Sequence, residues 1–590
     1  MTCWLKRAAA TVPEQHPATP SRLLLRCRWA AALVAAVLVP PFGQIRAATA
    51  ESRTTLYSGG DILTMEGATP RYVEALLERE GRIVYLGTRR QALSLAGISP
   101  RLVDLKGALL LPGLIDAHGH FILASHTLLN ANLAGARSIP ELIQRLQAHA
   151  GSVLSGEWIE GMGYRVEQLA ERRHPTAAEL DQVSATRPVF VQDGSGHEGA
   201  INSTLLRRMG WSAAVPPGDA WVMAVLQARP PRSPQRVREG VRRAAALWTT
   251  NGQTTASELG FGLSDQDLAV VEQIRAEQLL PIDLVLYAKH DRRDQVRERL
   301  GRAGRYDRRV RWAGVKVWLD GNTSAMATAS ALDVPALTAL LLELRRDPRW
   351  AGARQLGAHV VGEQAAETLL QAMERVTASA GSSDHRTVLH HGVVLRPDQV
   401  QRARQLGMGV SFTAAGLYPM GDALAKVLGP ERQAWLGPIG SVQRAGIPFS
   451  LHHDAPAGVS PSLMDALWSA VTRTTRSGAV LQPQERIAPY AGLQALTSHA
   501  AYQLFEEQRK GSLAVGKVAD LVVLDANPLK VEPMAIRRIH VLATIKQGRW
   551  VYRSPEWEAS AASQRETVAH QDAAAVPEAG AQGRPAEKSR

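Results

Sequence analysis

Between about residues 51 and 112 apolar and polar positions alternate over short runs broken by turn formers, as in "LYSGGDILTM", "GRIVYLGT" and "RLVDLKGALLL". That is the period of half-buried strands, and it predicts a small β unit. From 113 to 505 the pattern changes to apolar strand-like runs separated by Ala/Leu/Arg-rich stretches of helical period, such as "QAAETLLQAMERV" and "RPDQVQRARQLG". Short strands return over 506–554 ("GSLAVGKVADLVVLDAN", "VLATIKQGRWVYR"), and 555–590, rich in Ala, Glu, Gln and Ser, reads as a disordered tail. Strand–helix alternation over nearly 400 residues predicts an α/β fold with a parallel sheet, and its length fits a (β/α)8 TIM barrel with an insertion at about 131–250. In such a barrel, the site lies at the C-terminal ends of the strands.

The first fifty residues stand apart. Lys6, Arg7, Arg22, Arg26 and Arg28 precede the apolar run "WAAALVAAVLV" (29–39), and Ala48-Thr49-Ala50 follows. A basic segment, a short apolar segment and a small-x-small site describe a signal peptide, with cleavage expected after Ala50 and a periplasmic or secreted product. An uncleaved anchor is the other reading; both export the remainder.

Cys3 and Cys27, the two cysteines, both fall in that leader. The mature chain therefore has no disulfide, cysteine nucleophile or thiolate metal site, and a metal must be held by His, Asp, Glu or a modified Lys. Of the formal charge of +13, +5 falls within the leader. The remaining surplus is scattered arginine without aromatic interleaving, which excludes a nucleic-acid footprint.

In "LLPGLIDAHGHFI" (110–122), two imidazoles follow an apolar strand. Extended geometry would put Asp116, His118 and His120 on one face. Alone, such a pair is equally a hydrogen-bonded loop. Later strand ends, however, offer further ligands. "WAGVKVWLDG" puts Lys316, Trp318 and Asp320 on one face, and "LGAHVVGE" carries His359. In "RTVLHHGVV", His390 and His391 should face opposite ways, so that one points inward, and "GIPFSLHHDAP" puts His452 and Asp454 on one face with His453 on the other. A lysine facing a barrel interior is costly unless paired or modified.

His-x-His, Lys, His, His and Asp at successive strand ends resemble the amidohydrolase superfamily, and more closely its third amidohydrolase family, which includes N-substituted formamide deformylases. The resemblance covers nearly the whole exported chain: "GLIDAHGHF", "RPVFVQDGSGHEGAINS", "GVKVWLDG", "AHVVGEQAAETLL", "HHDAPAGVSPSLMDALWSAVTR" and "ALTSHAAYQL" followed by "KGSLAVGKVADLVVLDANP". It implies a barrel accompanied by a small β-sandwich built from both chain ends. It also implies one or two divalent ions, zinc first, held by His118, His120, His359, His391 and Asp454, with Lys316 as a bridging carbamate. An unmodified Lys316 bonded to Asp320 or to substrate is the alternative.

A bound metal lowers the pKa of water from about 15.7 toward 7 and polarises a carbonyl. Asp454 would take the proton of that water and pass it to the leaving amine. His197, in "GSGHEGAINS", is a candidate donor to the carbonyl oxygen, or else a turn cap; Trp318, Asp320 and His452 are expected at the substrate pocket. Three stretches depart from the family pattern: Gly362-Glu363 replaces Gly-Asp, His452-His453-Asp454 replaces Gly-Ser-Asp, and His390 stands where an acid is usual. The expected function is hydrolysis of a non-peptide C–N bond in an amide, formamide or cyclic amide. Ester, lactone or carbamate hydrolysis is the runner-up, and a non-catalytic periplasmic binding protein the last reading. A small-molecule substrate and a homodimer are the expected partners, with no nucleic acid and no membrane span after leader cleavage.

Overall fold

The computed structural model describes residues 54–194, 198–212, 215, 220–262, 264–320, 332–456 and 461–559. The expected leader, His197 and the tail from 560 onward lie outside the described residues. Eight parallel strands follow one another in sheet order: β1 (Leu114–Ile115), β2 (Gln253–Phe261), β3 (Asp283–Lys289), β4 (Val310–Trp318), β5 (Gln355–Val360), β6 (Val388–His391), β7 (Gly409–Phe412) and β8 (Phe449–Leu451). From β2 onward they are buried along nearly their whole length, so they read as apolar runs rather than alternating ones.

Parallel neighbours need crossovers, and helices supply most of them. The helix Glu363–Ala380 between β5 and β6 buries Ala365, Ala366, Leu369, Leu370, Ala372, Met373 and Val376, a stripe at three- and four-residue spacing. Val334–Arg346 does the same with Leu337, Leu340, Leu341 and Leu344. Both stripes enter the main core, where truncating a leucine to alanine costs about 2–5 kcal/mol. Beyond the outer strands, Asp454 N donates to the His118 carbonyl (3.1 Å) and His120 N to the Ala455 carbonyl (2.9 Å). These bonds tie the chain leaving β8 to the chain leaving β1, so the sheet is curled and its edges meet at their C-terminal ends.

Pro112-Gly113 hands the chain from one sheet to another. Leu109–Pro112 pairs antiparallel with Leu521–Leu524, which joins the N-terminal and C-terminal β segments edge to edge. The strands of both ends form one connected mixed sheet. Residues 555–559, expected to begin a disordered tail, form a helical turn in which the Trp557 ring lies 5.7 Å from that of Trp550.

The insertion builds a four-stranded sheet from Ala131–Asn132, Ile159–Tyr164, Val189–Asp193 and Gly199–Ile201, with its own core of Leu133, Leu142, Leu146, Ile159 and Val191. Helix Pro234–Thr250, counted with the insertion in the sequence, belongs to the main core instead through Val237, Val241, Ala244 and Trp248. Among the described residues no helix is long and apolar enough to cross a membrane.

Candidate metal centre

Past Ile115 the chain leaves strand geometry, and His120 is already the N-cap of helix Phe121–Thr127. The shared face expected for Asp116, His118 and His120 is therefore not realised. Asp116 turns aside, accepting from Trp248 Nε1 (3.0 Å) and His118 N (3.3 Å), with His453 Nε2 3.4 Å away. Burial pushes Asp116 up to about 7 against those two hydrogen bonds. A Cβ on Gly119 would run into its carboxylate, so glycine is what lets the turn close over this brace.

The two histidines converge on the acid that follows β8. His118 Nε2 and His120 Nε2 lie 3.3 Å and 3.2 Å from Asp454 Oδ1, and these three ligand atoms lie within 4.8 Å of one another. Each imidazole uses its other nitrogen elsewhere. His118 Nδ1 meets His390 Nδ1 at 2.9 Å, and His120 Nδ1 lies 3.4 Å from Glu258 Oε1 on β2. Glu258 also accepts from Ile122 N. Burial opposes a charge on His120, but Asp454 and Glu258 outweigh it and raise the imidazole to about 10. Two carboxylates around one ring mark this as a place for a cation.

His390 and His391 do not alternate as expected. A left-handed φ of 78° at His391 interrupts the strand at its last residue, and the rings of both histidines reach His118, at centroid distances of 4.6 Å and 4.7 Å. His391 Nδ1 bonds Thr413 Oγ1 (2.8 Å) and lies 3.9 Å from Asp454 Oδ2. His118, His391 and His452 form a second group whose ligand atoms lie within 4.8 Å of one another. His452, expected at the substrate pocket, is fully buried, with Nδ1 bonded to Ser411 Oγ and Nε2 to Thr413 Oγ1, each at 2.8 Å. Burial above all, with Lys316 and neighbouring imidazoles adding to it, holds His118, His391 and His452 well below the usual histidine range.

Lys316, near the end of β4, is fully buried, and its Nζ has no hydrogen-bond partner among the described residues. Burial pulls it down to about 7 against the attraction of Asp454 and Asp320. It is not bonded to Asp320, whose carboxylate instead accepts from Val361 N (3.0 Å) and Gly362 N (2.7 Å) at the turn after β5. Burial pushes Asp320 up to about 6. Asp320 thus braces the turn after β5. His359 presents Nε2 at 3.7 Å from Asp320 Oδ1, with its ring 4.3 Å from that of His391, and joins neither ligand group. Trp318 lies with its ring 5.5 Å from Lys316 Nζ and packs over Gly260, whose φ of 107° and missing side chain make room for it.

Sequence reasoning missed Glu258, Thr413 and the bracing role of Asp116. An acid inside the apolar strand "QTTASELGF" was the available signal for Glu258. Nothing comparable marked Thr413.

Buried polar atoms are almost always hydrogen-bonded. Among the described residues, Lys316 Nζ and His391 Nε2 are buried without hydrogen-bond partners. Imidazole nitrogens with carboxylate oxygens suit a divalent cation of intermediate softness, zinc among them. The residues present fit a metal.

A model of the amidohydrolase family matches residues 101–552. The chain belongs to the amidohydrolase family. This amidohydrolase is 25% identical over 513 residues to the N-substituted formamide deformylase of Arthrobacter pascens, covering 80% of this chain and 94% of that one. It is equally 25% identical, over 537 residues, to the putative amidohydrolase YtcJ of Bacillus subtilis (strain 168), covering 84% and 99%. Its fold is similar to that of an uncharacterized metal-dependent hydrolase from Pyrococcus horikoshii OT3, with a TM-score of 0.68, 21% identity, and 81% and 99% of the two chains covered. Family membership together with this His/Asp cluster supports a metal-dependent hydrolase.

Proposed function

We propose that this amidohydrolase is an exported enzyme that hydrolyses a non-peptide C–N bond of a small amide, formamide or cyclic amide on a (β/α)8 barrel. The observation that carries the reading is the convergence of His118 Nε2, His120 Nε2 and Asp454 Oδ1, beside a buried Lys316 Nζ and His391 Nε2 that lack hydrogen-bond partners among the described residues. His118, His120 and Asp454 would hold one ion; His391 and a carbamylated Lys316 would help hold a second. A divalent cation there, zinc by preference, polarises a carbonyl and makes water nucleophilic near neutral pH.

The chain's own groups do the rest. Asp454 takes the proton of the attacking water and returns it to the departing nitrogen. Glu258 keeps a proton on His120 Nδ1 and so leaves Nε2 for the ion. Asp116 and Trp248 fix the turn that carries both imidazoles. The likeness to the Arthrobacter deformylase supports the C–N choice.

The test is metal per chain by inductively coupled plasma mass spectrometry on protein purified without chelators, followed by a screen of formamides, amides and cyclic amides against esters and lactones. Bound metal with turnover of the first group supports the reading; turnover of esters alone replaces the substrate class, and a chain that refuses added zinc overturns it. Intact mass of the exported product, starting at Glu51 if the leader is cleaved after Ala50, tests the export proposal.

A further inference from the structure

A file of buried polar side chains runs from the metal centre through the sheet interior: His391, Thr413, His452, Ser411, Ser450 and Gln503. Its contacts are His391 Nδ1 to Thr413 Oγ1 and Thr413 Oγ1 to His452 Nε2, each 2.8 Å, then His452 Nδ1 to Ser411 Oγ (2.8 Å), Ser411 Oγ to Ser450 Oγ (2.7 Å) and Ser450 Oγ to Gln503 Oε1 (2.6 Å). Each hydroxyl has one proton, and each neutral imidazole has one N–H and one lone pair. One fixed end therefore decides the direction of every bond.

Gln503 supplies that end. Its amide nitrogen donates to the Ala117 carbonyl (3.3 Å), which can only accept, so its oxygen must face Ser450. Ser450 spends its proton on that oxygen, and the bond to Ser411 is then donated by Ser411. His452 Nδ1 must carry the hydrogen that reaches Ser411, which leaves His452 Nε2 as an acceptor for the Thr413 hydroxyl. Thr413 has no second proton, so His391 Nδ1 donates to it. The outcome is a His391 whose Nε2 lone pair is free, and Nε2 is the nitrogen that has no partner.

We infer that Thr413, His452, Ser411, Ser450 and Gln503 form a one-way hydrogen-bond chain that sets the tautomer of His391 and presents its Nε2 to a divalent cation. The inference rests on the proposed metal centre. It makes His452 a positioning residue with both nitrogens engaged, rather than a ligand in the group with His118 and His391.

Two measurements test it. In the metal-free full-length chain with 15N-labelled histidine, long-range 1H–15N correlation should show Nδ1–H for both His391 and His452, each assigned by the signal lost in its Gln variant. An Nε2–H tautomer at either residue overturns the chain. Zinc affinity by chelator competition should fall roughly 10–100-fold in Thr413→Val, the usual cost of removing a partner that orients a ligand. It should stay within about threefold in Thr413→Ser, which keeps the hydroxyl, and fall several-fold in Ser450→Ala, which touches neither imidazole. Wild-type affinity in Thr413→Val, as expected if His452 Nε2 itself binds the ion, also overturns it. The tautomer is readable without metal or substrate, so its failure is distinct from failure of the proposed hydrolase.

Discussion

At the N-terminal end of β3, Lys510 Nζ lies 2.9 Å from Asp283 Oδ2 and from Glu506 Oε2, and bonds Thr255 Oγ1 (2.8 Å) and Tyr306 OH (3.2 Å). Near the C-terminal end of β4, Lys316 is equally buried and its Nζ has no hydrogen-bond partner among the described residues. Lys546 adds to the first cluster by pairing with both Asp283 and Asp520. The surroundings decide how each lysine titrates. Burial opposes the charge on Lys510, but Asp283, Tyr306 and Glu506 outweigh it and raise its pKa; at Lys316 burial wins and the pKa falls to about 7. A saturated cluster holds parts of the fold together, here the C-terminal segment against the sheet. The unsaturated lysine, lying among the imidazoles, is the one assigned above to the proposed metal centre.

Removing the open end's own groups should have the largest effect. Asp454→Asn should keep the fold and cost about 10²–10⁴-fold in turnover, measured as kcat on whichever amide the screen yields. His118→Ala with His120→Ala should abolish metal retention in elemental analysis. At the saturated end, Asp283→Asn takes one of two carboxylates from each of two buried lysines and should cost about 3 kcal/mol in denaturant unfolding while leaving metal content unchanged. Loss of metal in that variant would mean the two ends are not separable.

pH should distinguish Lys510 from Lys316 by slopes of opposite sign. Lys510, raised in the fold, contributes stability that is complete below its unfolded value near 10.5 and is lost as pH rises through the folded one. Asp283 is held well below the usual range, since Lys510, Lys546 and Arg509 outweigh its burial. Its contribution is present above about 3.9 and is lost as pH falls through the folded pKa. Lys316 has the reverse sign of Lys510: between about 7 and 10.5 the unfolded chain binds the proton that the folded chain has shed, so metal-free protein gains stability as pH rises. Lys316→Met should remove that rise, in unfolding curves taken in CO2-depleted buffer. The smallest effect is expected for Glu258→Gln, with zinc affinity lowered about tenfold and the fold intact.

The strands and their order were legible because buried parallel strands read as apolar runs and amphipathic helices separate them. His118, His120, Lys316, His391 and Asp454 were legible because polar residues at the ends of such runs are conspicuous. Face assignments were less so. Alternation assumes extended backbone, and the chain abandons it at Asp116, at His391 (φ 78°) and at Asp454 (φ 61°). Glu258 and Thr413 went unseen because their partners come from elements 138 and 22 residues away in the chain, contacts that no local period encodes.

The pair of hydrogen bonds that joins His118 to Asp454 and His120 to Ala455 has a consequence for biosynthesis. The two histidines leave the ribosome some 330 residues ahead of the acid they must meet. A nascent or truncated chain that stops short of Asp454 carries both imidazoles and Glu258 but lacks the one acid that faces Nε2 of both rings. The proposed ligand set is thereby complete only once the chain has been made through Asp454.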